Sequence, residues 1–286
     1  MRITRRTFLK KALTSVFAIF GLSSGGYYYA RYIETDMLDV KKETIASQTI
    51  PSSFQDFKIL LFSDTHLGFN YDLNQFEKLV NSINKESPDL IVFAGDLVDQ
   101  PNAYSWNNRL EGLLSKLNAP YGKFWIYGNH DHGGYGTDIV DQTMKKGGFQ
   151  LLRNQHTIVN QGEASIAMAG LDDVMLGKPN LHRTLDGVPE DLFTILLCHE
   201  PDFADEASRY QVDLQLSGHS HGGQIRLPIV GDLITPPLAK KYVEGWHDVG
   251  SDSMKLYVTR GIGTTRMPYR FLCKPEITLF RLSQPS

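Results

Sequence analysis

Lys58-Ile59-Leu60-Leu61-Phe62-Ser63-Asp64-Thr65-His66 runs a short apolar strand straight into an Asp-x-His pair. The same arrangement recurs four times. Leu90–Ala94 leads into Gly95-Asp96-Leu97-Val98-Asp99, and Phe124–Tyr127 into Gly128-Asn129-His130-Asp131. Phe193–Leu197 precedes Cys198-His199-Glu200, and Leu214–Ser217 precedes Gly218-His219-Ser220-His221. Apolar runs without alternation, such as Ile59–Phe62 and Leu90–Ala94, read as strands covered on both faces. Residues just beyond such strands lie at their carboxyl ends, where open sheets gather their chemistry.

Between the first strands, Leu73–Glu86 and the segment from Trp106 to Leu117 have helical periodicity, which gives βαβ units. Further strands are expected at Ala164–Ala169, Leu256–Thr259 and Ile277–Leu282, without clean helices between them. The fold class that follows is α/β, with two packed mixed β-sheets flanked by helices, an αββα sandwich. Residues 52–286 form this domain, residues 31–51 read as a tether, and residues 1–30 read as an address.

Aspartate, asparagine and histidine make a mixed oxygen and nitrogen donor set. That set suits a pair of borderline divalent ions better than a closed structural zinc site, which favours thiolates. Two such ions can bind both the attacking and the leaving side of a phosphate ester. The two cysteines, Cys198 and Cys273, read as buried strand thiols and define no disulfide framework.

The chain of 286 residues is 41% hydrophobic and has a formal net charge of −3. Arg2, Arg5, Arg6, Lys10 and Lys11 fall in residues 1–30, which hold no acid, so taking those five charges off the total leaves −8 on the body. An acidic body argues against nucleic acid as a standing partner. Arg5-Arg6 followed by Phe8, Leu9, Lys10 and a moderately apolar stretch from Ala12 matches the twin-arginine export signal. The twin-arginine export machinery is then a partner, and the body is expected outside the cytoplasm, in the cell wall or on the outer face of the membrane. Tyr27-Tyr28-Tyr29 suit a membrane interface if the segment is retained as an anchor.

The five blocks together resemble the calcineurin-like metallophosphoesterases, whose pattern is D-x-H, G-D-x-x-D, G-N-H-D or G-N-H-E, a lone His, then G-H-x-H. All five are present in order across residues 63–221. The run Gly218-His219-Ser220-His221-Gly222-Gly223-Gln224-Ile225 also resembles an exported bacterial branch that includes cell-wall-associated phosphodiesterases. The resemblance implies Asp64, His66 and His221 on a first metal and Asn129, His199 and His219 on a second, with Asp96 bridging. Manganese is the leading candidate, with zinc or iron as alternatives. A metal-bridging hydroxide would then attack phosphorus while His130 protonates the leaving group as general acid.

Asp64 or another nearby carboxylate is expected to orient His130, and Asp99 to orient a ligand or cap a turn. Asp131 and Asp172-Asp173 are candidates for supporting roles, His132 for a substrate contact or a place in a turn, and one of Arg226, Arg260, Arg266 or Arg270 could meet a substrate phosphate. The segment between Asn129 and His199 holds no large insertion, so the site is expected to be open. The expected substrate is a phosphate ester, more readily a diester than a monoester: a cell-wall polymer, a lipid headgroup or a small diester. Alternatives are a pyrophosphatase acting on a UDP-2,3-diacylglucosamine type of lipid precursor, or a catalytically inactive binding scaffold on the same fold. The general-acid histidine at position 130 speaks for an enzyme.

Overall fold

The computed structural model describes residues 24–132, 137–250 and 254–285. Arg5-Arg6 and the apolar stretch up to residue 23 lie outside the described residues. Among the described residues, no helix is long and apolar enough to cross a membrane.

In the first half, β1 (Asp39–Ala46), β2 (Lys58–Phe62), β3 (Leu90–Phe93), β4 (Lys123–Trp125) and β5 (Gln150–Leu151) alternate with α1 (Leu73–Lys85), α2 (Asn108–Ser115), α3 (Asn129–His132) and α4 (Thr137–Lys146). Asp72 opens α1 with a capping box. Its side chain accepts from Asn74 N and Gln75 N, while the Gln75 side chain accepts from Asp72 N. Phe76, Leu79, Val80 and Ile83 fall on one face of α1 and are buried. Ser87, at φ 51°, and the following proline end the helix.

The second half supplies β6 (Gln155–Gln161), β7 (Ala164–Gly170), β8 (Thr194–Leu197), β9 (Leu214–Ser217), β10 (Arg226–Leu227), β11 (Gly231–Asp232), β12 (Gly245–Val249), β13 (Met254–Val258) and β14 (Glu276–Ser283). Among the described residues, two six-stranded sheets result, in the orders β1-β14-β2-β3-β4-β5 and β12-β13-β9-β8-β7-β6; β10 and β11 form a separate hairpin. The runs β2-β3-β4-β5 and β7-β8-β9-β13 are parallel. The ends that carry the metal-type residues therefore share one edge of each sheet.

Strand alternation sorts the core into layers. Ile59 and Leu61 of β2, with Leu214 and Leu216 of β9, face the space between the sheets. Leu60 and Phe62 turn outward onto α1, α2 and α4. Leu196, Cys198, Leu256 and Val258 turn outward on the second sheet, towards the short helices Leu181–Leu185 and Ala204–Ala207. The two mixed sheets are packed together and flanked by helices.

The stretch 31–51, expected as a tether, differs. It contains β1, which pairs in parallel with β14 over its whole length. Ahead of β1, the buried Glu34 accepts from the backbone amides of Leu272 and Cys273, and Arg270 N donates to Ala30 O at 3.0 Å. Only Ile45 of β1 is fully covered, because an edge strand can satisfy its backbone while its side chains stay polar.

Candidate metal centre and active site

The loops after β2, β3, β4, β8 and β9 converge at the carboxyl edge of the two sheets. Asp64, His66, Asp96, His219 and His221 all adopt left-handed backbone, with φ between 42° and 67°. Non-glycine residues rarely do so, and each such residue costs of order 1–3 kcal/mol. Five in one place point to a conformation held for a purpose. Two glycines permit the close approach of the loops. A Cβ on Gly128 would lie 2.2 Å from Asp96 Oδ1, and one on Gly95 would lie 2.6 Å from Gly128 N and 2.7 Å from His199 Nδ1.

Asp96 stands at the centre. Its Oδ1 accepts from His130 N at 2.8 Å, while its Oδ2 lies 3.5 Å from His66 Nε2 and 3.3 Å from His199 Nε2. On one side are Asp64, His66 and His221, with His221 Nε2 3.5 Å from Asp64 Oδ1. On the other, one donor atom each of Asp96, His199 and His219 falls within 4.8 Å of the others. Asn129 borders the same cleft.

The far sides of the imidazoles are tied down, which assigns their tautomers. His66 Nδ1–H donates to Asp99 Oδ1 at 3.2 Å, His199 Nδ1–H to Ala94 O at 2.6 Å, and His219 Nε2–H to Pro237 O at 2.8 Å. In each neutral ring the remaining nitrogen is left with a lone pair. His221 is held less firmly, with its Nδ1 3.4 Å from an Arg270 guanidinium nitrogen.

The donor set fits a pair of cations. Among the described residues, His199 Nε2 and Asn129 Oδ1 are buried without a hydrogen-bond partner, a costly state for a polar atom. His66 Nε2 and His221 Nε2 approach to 3.0 Å. Two lone pairs so close repel unless a proton or a cation serves both.

Burial holds His219 down at about 3 and His221 well below the usual imidazole range, so both are neutral and available as ligands. Burial also opposes charge on His199, but the Asp96 and Asp64 carboxylates outweigh it and push His199 well up. Burial likewise works against charge on His130, yet Asp96, the Asp99 carbonyl and the Asp99 carboxylate raise it.

The structure brings all eight expected site residues together and gives several neighbours a physical task. His130 is oriented by Asp99, not by Asp64: its Nδ1 lies 2.7 Å from the Asp99 carbonyl oxygen and 3.6 Å from the carboxylate. Asp131 accepts from the amides of Asp96, Leu97 and Gly128, and so locks two ligand loops together. His132 is committed to Asp172 at 2.9 Å, and Asp172 also meets Arg153.

Of the four arginines, Arg270 is fully buried and donates to the carbonyls of Gly263, Arg260 and Cys273. Arg226 pairs with Glu244, and Arg260 with Asp39 and Glu276. Arg266 alone among the four is exposed at the cleft. His156 Nδ1 meets the Thr184 carbonyl, and both cysteines are free and buried.

The sequence reading missed the wall of the cleft. Ile225, residues 233–237 and residues 265–267 enclose about 330 Å³ beside Asn129, His130 and His219. The open site expected from the short segment before His199 thus has a wall supplied after His221. The apolar run Leu233-Ile234-Thr235-Pro236-Pro237 was the available signal.

These features define a metal-dependent phosphoesterase site on a two-sheet sandwich. The chain belongs to the calcineurin-like phosphoesterase family, whose pattern matches residues 57–223. It is 48% identical over 282 residues to a Bacillus subtilis protein described as the uncharacterized metallophosphoesterase YkuE, covering 98% of each chain. It is 28% identical over 282 residues to the phosphodiesterase YaeI of Escherichia coli, covering 98% of this chain and 99% of that one. A solved dimetal phosphatase from Danio rerio superposes with a TM-score of 0.48 at 11% identity, over 76% of this chain and 94% of the other.

Proposed function

We propose that this metal-dependent phosphoester hydrolase is an exported phosphodiesterase working with two divalent cations, manganese foremost. One observation carries the reading. Asp96 Oδ2 faces ring nitrogens from two separate donor groups, and buried donor atoms in the second group have no hydrogen-bond partner among the described residues. Asp64, His66 and His221 with Asp96 would hold one cation; Asn129, His199 and His219 with Asp96 would hold the other. When bound, such cations offset phosphate charge and lower the pKa of water.

The chain's own residues supply the rest. With Nδ1–H on the Asp99 carbonyl, His130 directs Nε2 away from that anchor and borders the cleft. There it can hand a proton to the departing ester oxygen. A water oxygen joins phosphorus, the ester P–O bond breaks, the proton from His130 stays on the alcohol, and the proton lost by the water restores His130.

Two observations favour a diester. The relative from Escherichia coli carries the name phosphodiesterase. Asn129, His130, Thr265 and Arg266 also separate the apolar cleft from a second depression lined by Phe69 and residues 99–103, which leaves space for a group on either side of a phosphate. Export rests on Arg5-Arg6 and the acid-free, moderately apolar segment that follows.

The test is a panel of bis(p-nitrophenyl) phosphate against p-nitrophenyl phosphate on manganese-reconstituted protein. Preference for the diester is expected. A monoester preference of tenfold or more would overturn the diester assignment.

A further inference from the structure

The apolar wall beside His130 continues out of the cleft into the β10–β11 hairpin. Leu227, Ile229, Val230, Leu233 and Ile234 are all exposed, and Ile229 reaches 108% of its reference exposure. Ile229 also sits at φ 72°, where a β-branched residue is a genuine outlier. The base of the hairpin is firmly held, with Arg226 N donating to Phe271 O at 2.8 Å and Phe271 N to Gln224 O at 3.0 Å. An apolar ridge projected from a fixed base beside a catalytic cleft marks an interaction surface.

Three observations select its occupant. The ridge borders the mouth of the cleft, so a flat protein partner would close the site, whereas a lipid surface can both cover the ridge and present phosphate esters to it. The segment that anchors the hairpin also seats the helical residues 24–33: Tyr29 packs on Phe271 with ring centroids 6.3 Å apart, and the Tyr27 ring lies 6.0 Å from that of Tyr269. The sequence leading into that helix carries five cations, no acid and an apolar stretch, and the helix exposes Tyr27, Tyr28 and Tyr32. Finally, Arg266 is exposed at the mouth and forms no ion pair among the described residues, which suits anionic headgroups.

We propose that the β10–β11 hairpin docks the protein on an anionic lipid surface, and that its substrates are phosphodiesters of membrane amphiphiles whose apolar part lies along the Ile225, Leu233, Ile234 and Met267 wall. The substrate half rests on the phosphodiesterase reading; the docking half does not.

The test uses the full chain in vesicles of phosphatidylglycerol and phosphatidylcholine. Cys198 and Cys273 are buried, so a fluorophore can be placed on Ile229→Cys, with Glu163→Cys as a distant control. Brominated acyl chains should quench the probe at 229 and not the one at 163. Ile229→Asp with Val230→Asp should lower phosphatidylglycerol hydrolysis about tenfold or more, since two apolar side chains lose their lipid contact. Neither residue borders the cleft, so turnover of soluble bis(p-nitrophenyl) phosphate should be unchanged. Ile229→Trp should restore or strengthen the vesicle activity.

Absence of quenching at 229, or vesicle activity indifferent to the aspartates, overturns the docking. Association of two copies that depends on Ile229, without quenching, overturns it in favour of a protein interface. Loss of both substrates in the parental protein overturns the phosphodiesterase reading and the substrate half with it, while quenching still decides the docking.

Discussion

Gly128→Ala adds one methyl group at the tightest point of the centre. The new Cβ would lie 2.2 Å from Asp96 Oδ1 and 2.8 Å from both Asp96 Cγ and Asp96 N, where real Cβ contacts stay beyond 3.0 Å. Asp96 cannot yield freely, because Oδ1 accepts from His130 N and its own amide donates to Asp131. The carboxylate must therefore move by roughly an ångström, and overpacking of this kind costs about 1–3 kcal/mol. Midpoint temperatures should fall by about 2–4 °C per kcal/mol in domains near this size. The larger effect is on function: metal sites tolerate about 0.2 Å, and a misplacement of about 1 Å costs on the order of a hundredfold in rate.

Gly112→Ala is the matched control. It lies within α2, with nothing within 4 Å of its new Cβ, and should stabilise the protein by about 0.5–1 kcal/mol with unchanged metal content. Calorimetry, elemental analysis and diester kinetics on both variants give the comparison. Retention of two metals and parental kcat/KM in Gly128→Ala would refute the central position given to Asp96.

His130→Ala should leave metal content nearly intact and slow diesters with strongly basic leaving groups about a hundred- to ten-thousand-fold, while p-nitrophenyl esters suffer less; equal losses in a leaving-group series would assign His130 a binding role. Asp172 is held at about 2, because His132, the Lys178 amide and Arg153 outweigh the effect of its burial. Its folded value lies below the unfolded one, so its contribution of about 2 kcal/mol is present above pH ~4 and is lost as pH falls towards 2. Denaturant unfolding of the parent and Asp172→Asn at pH 6 and pH 3 should show the gap between them narrowing at the lower pH; a constant gap contradicts the assignment. Replacing Arg5 and Arg6 by lysines should trap the protein in the cytoplasm, checked by fractionation with a carboxyl-terminal reporter; normal levels outside the cytoplasm would contradict the export reading.

All eight inner strands of the two sheets are legible in the sequence, to within a residue or two at their ends, most of them as apolar runs. The four edge strands are not. β1 reads Asp-Val-Lys-Lys-Glu-Thr-Ile-Ala, and β6 and β12 are similarly mixed, because an edge strand is half solvated and carries no continuous apolar signal. β5 is two residues long.

The site behaves in the same way. Its ligand-type residues follow the legible inner strands and so announce themselves by spacing. Their supports do not, since Ala94 and Pro237 act through backbone carbonyls that no residue type reveals. Arg270 illustrates the opposite error. An arginine beside a phosphate site suggests a substrate contact, yet this one is enclosed by backbone carbonyls under His221. Burial, which alone separates the two roles, is a property of the fold.

The most direct measurement is the metal-to-protein ratio of the purified full chain, taken with diester turnover, for the parent and for Asp96→Asn. Two ions per chain are expected in the parent, with loss of both metal and turnover in the variant, because one carboxylate serves both donor groups. A parent that turns over fully without metal, or an Asp96→Asn protein that keeps two ions and its activity, would contradict the account.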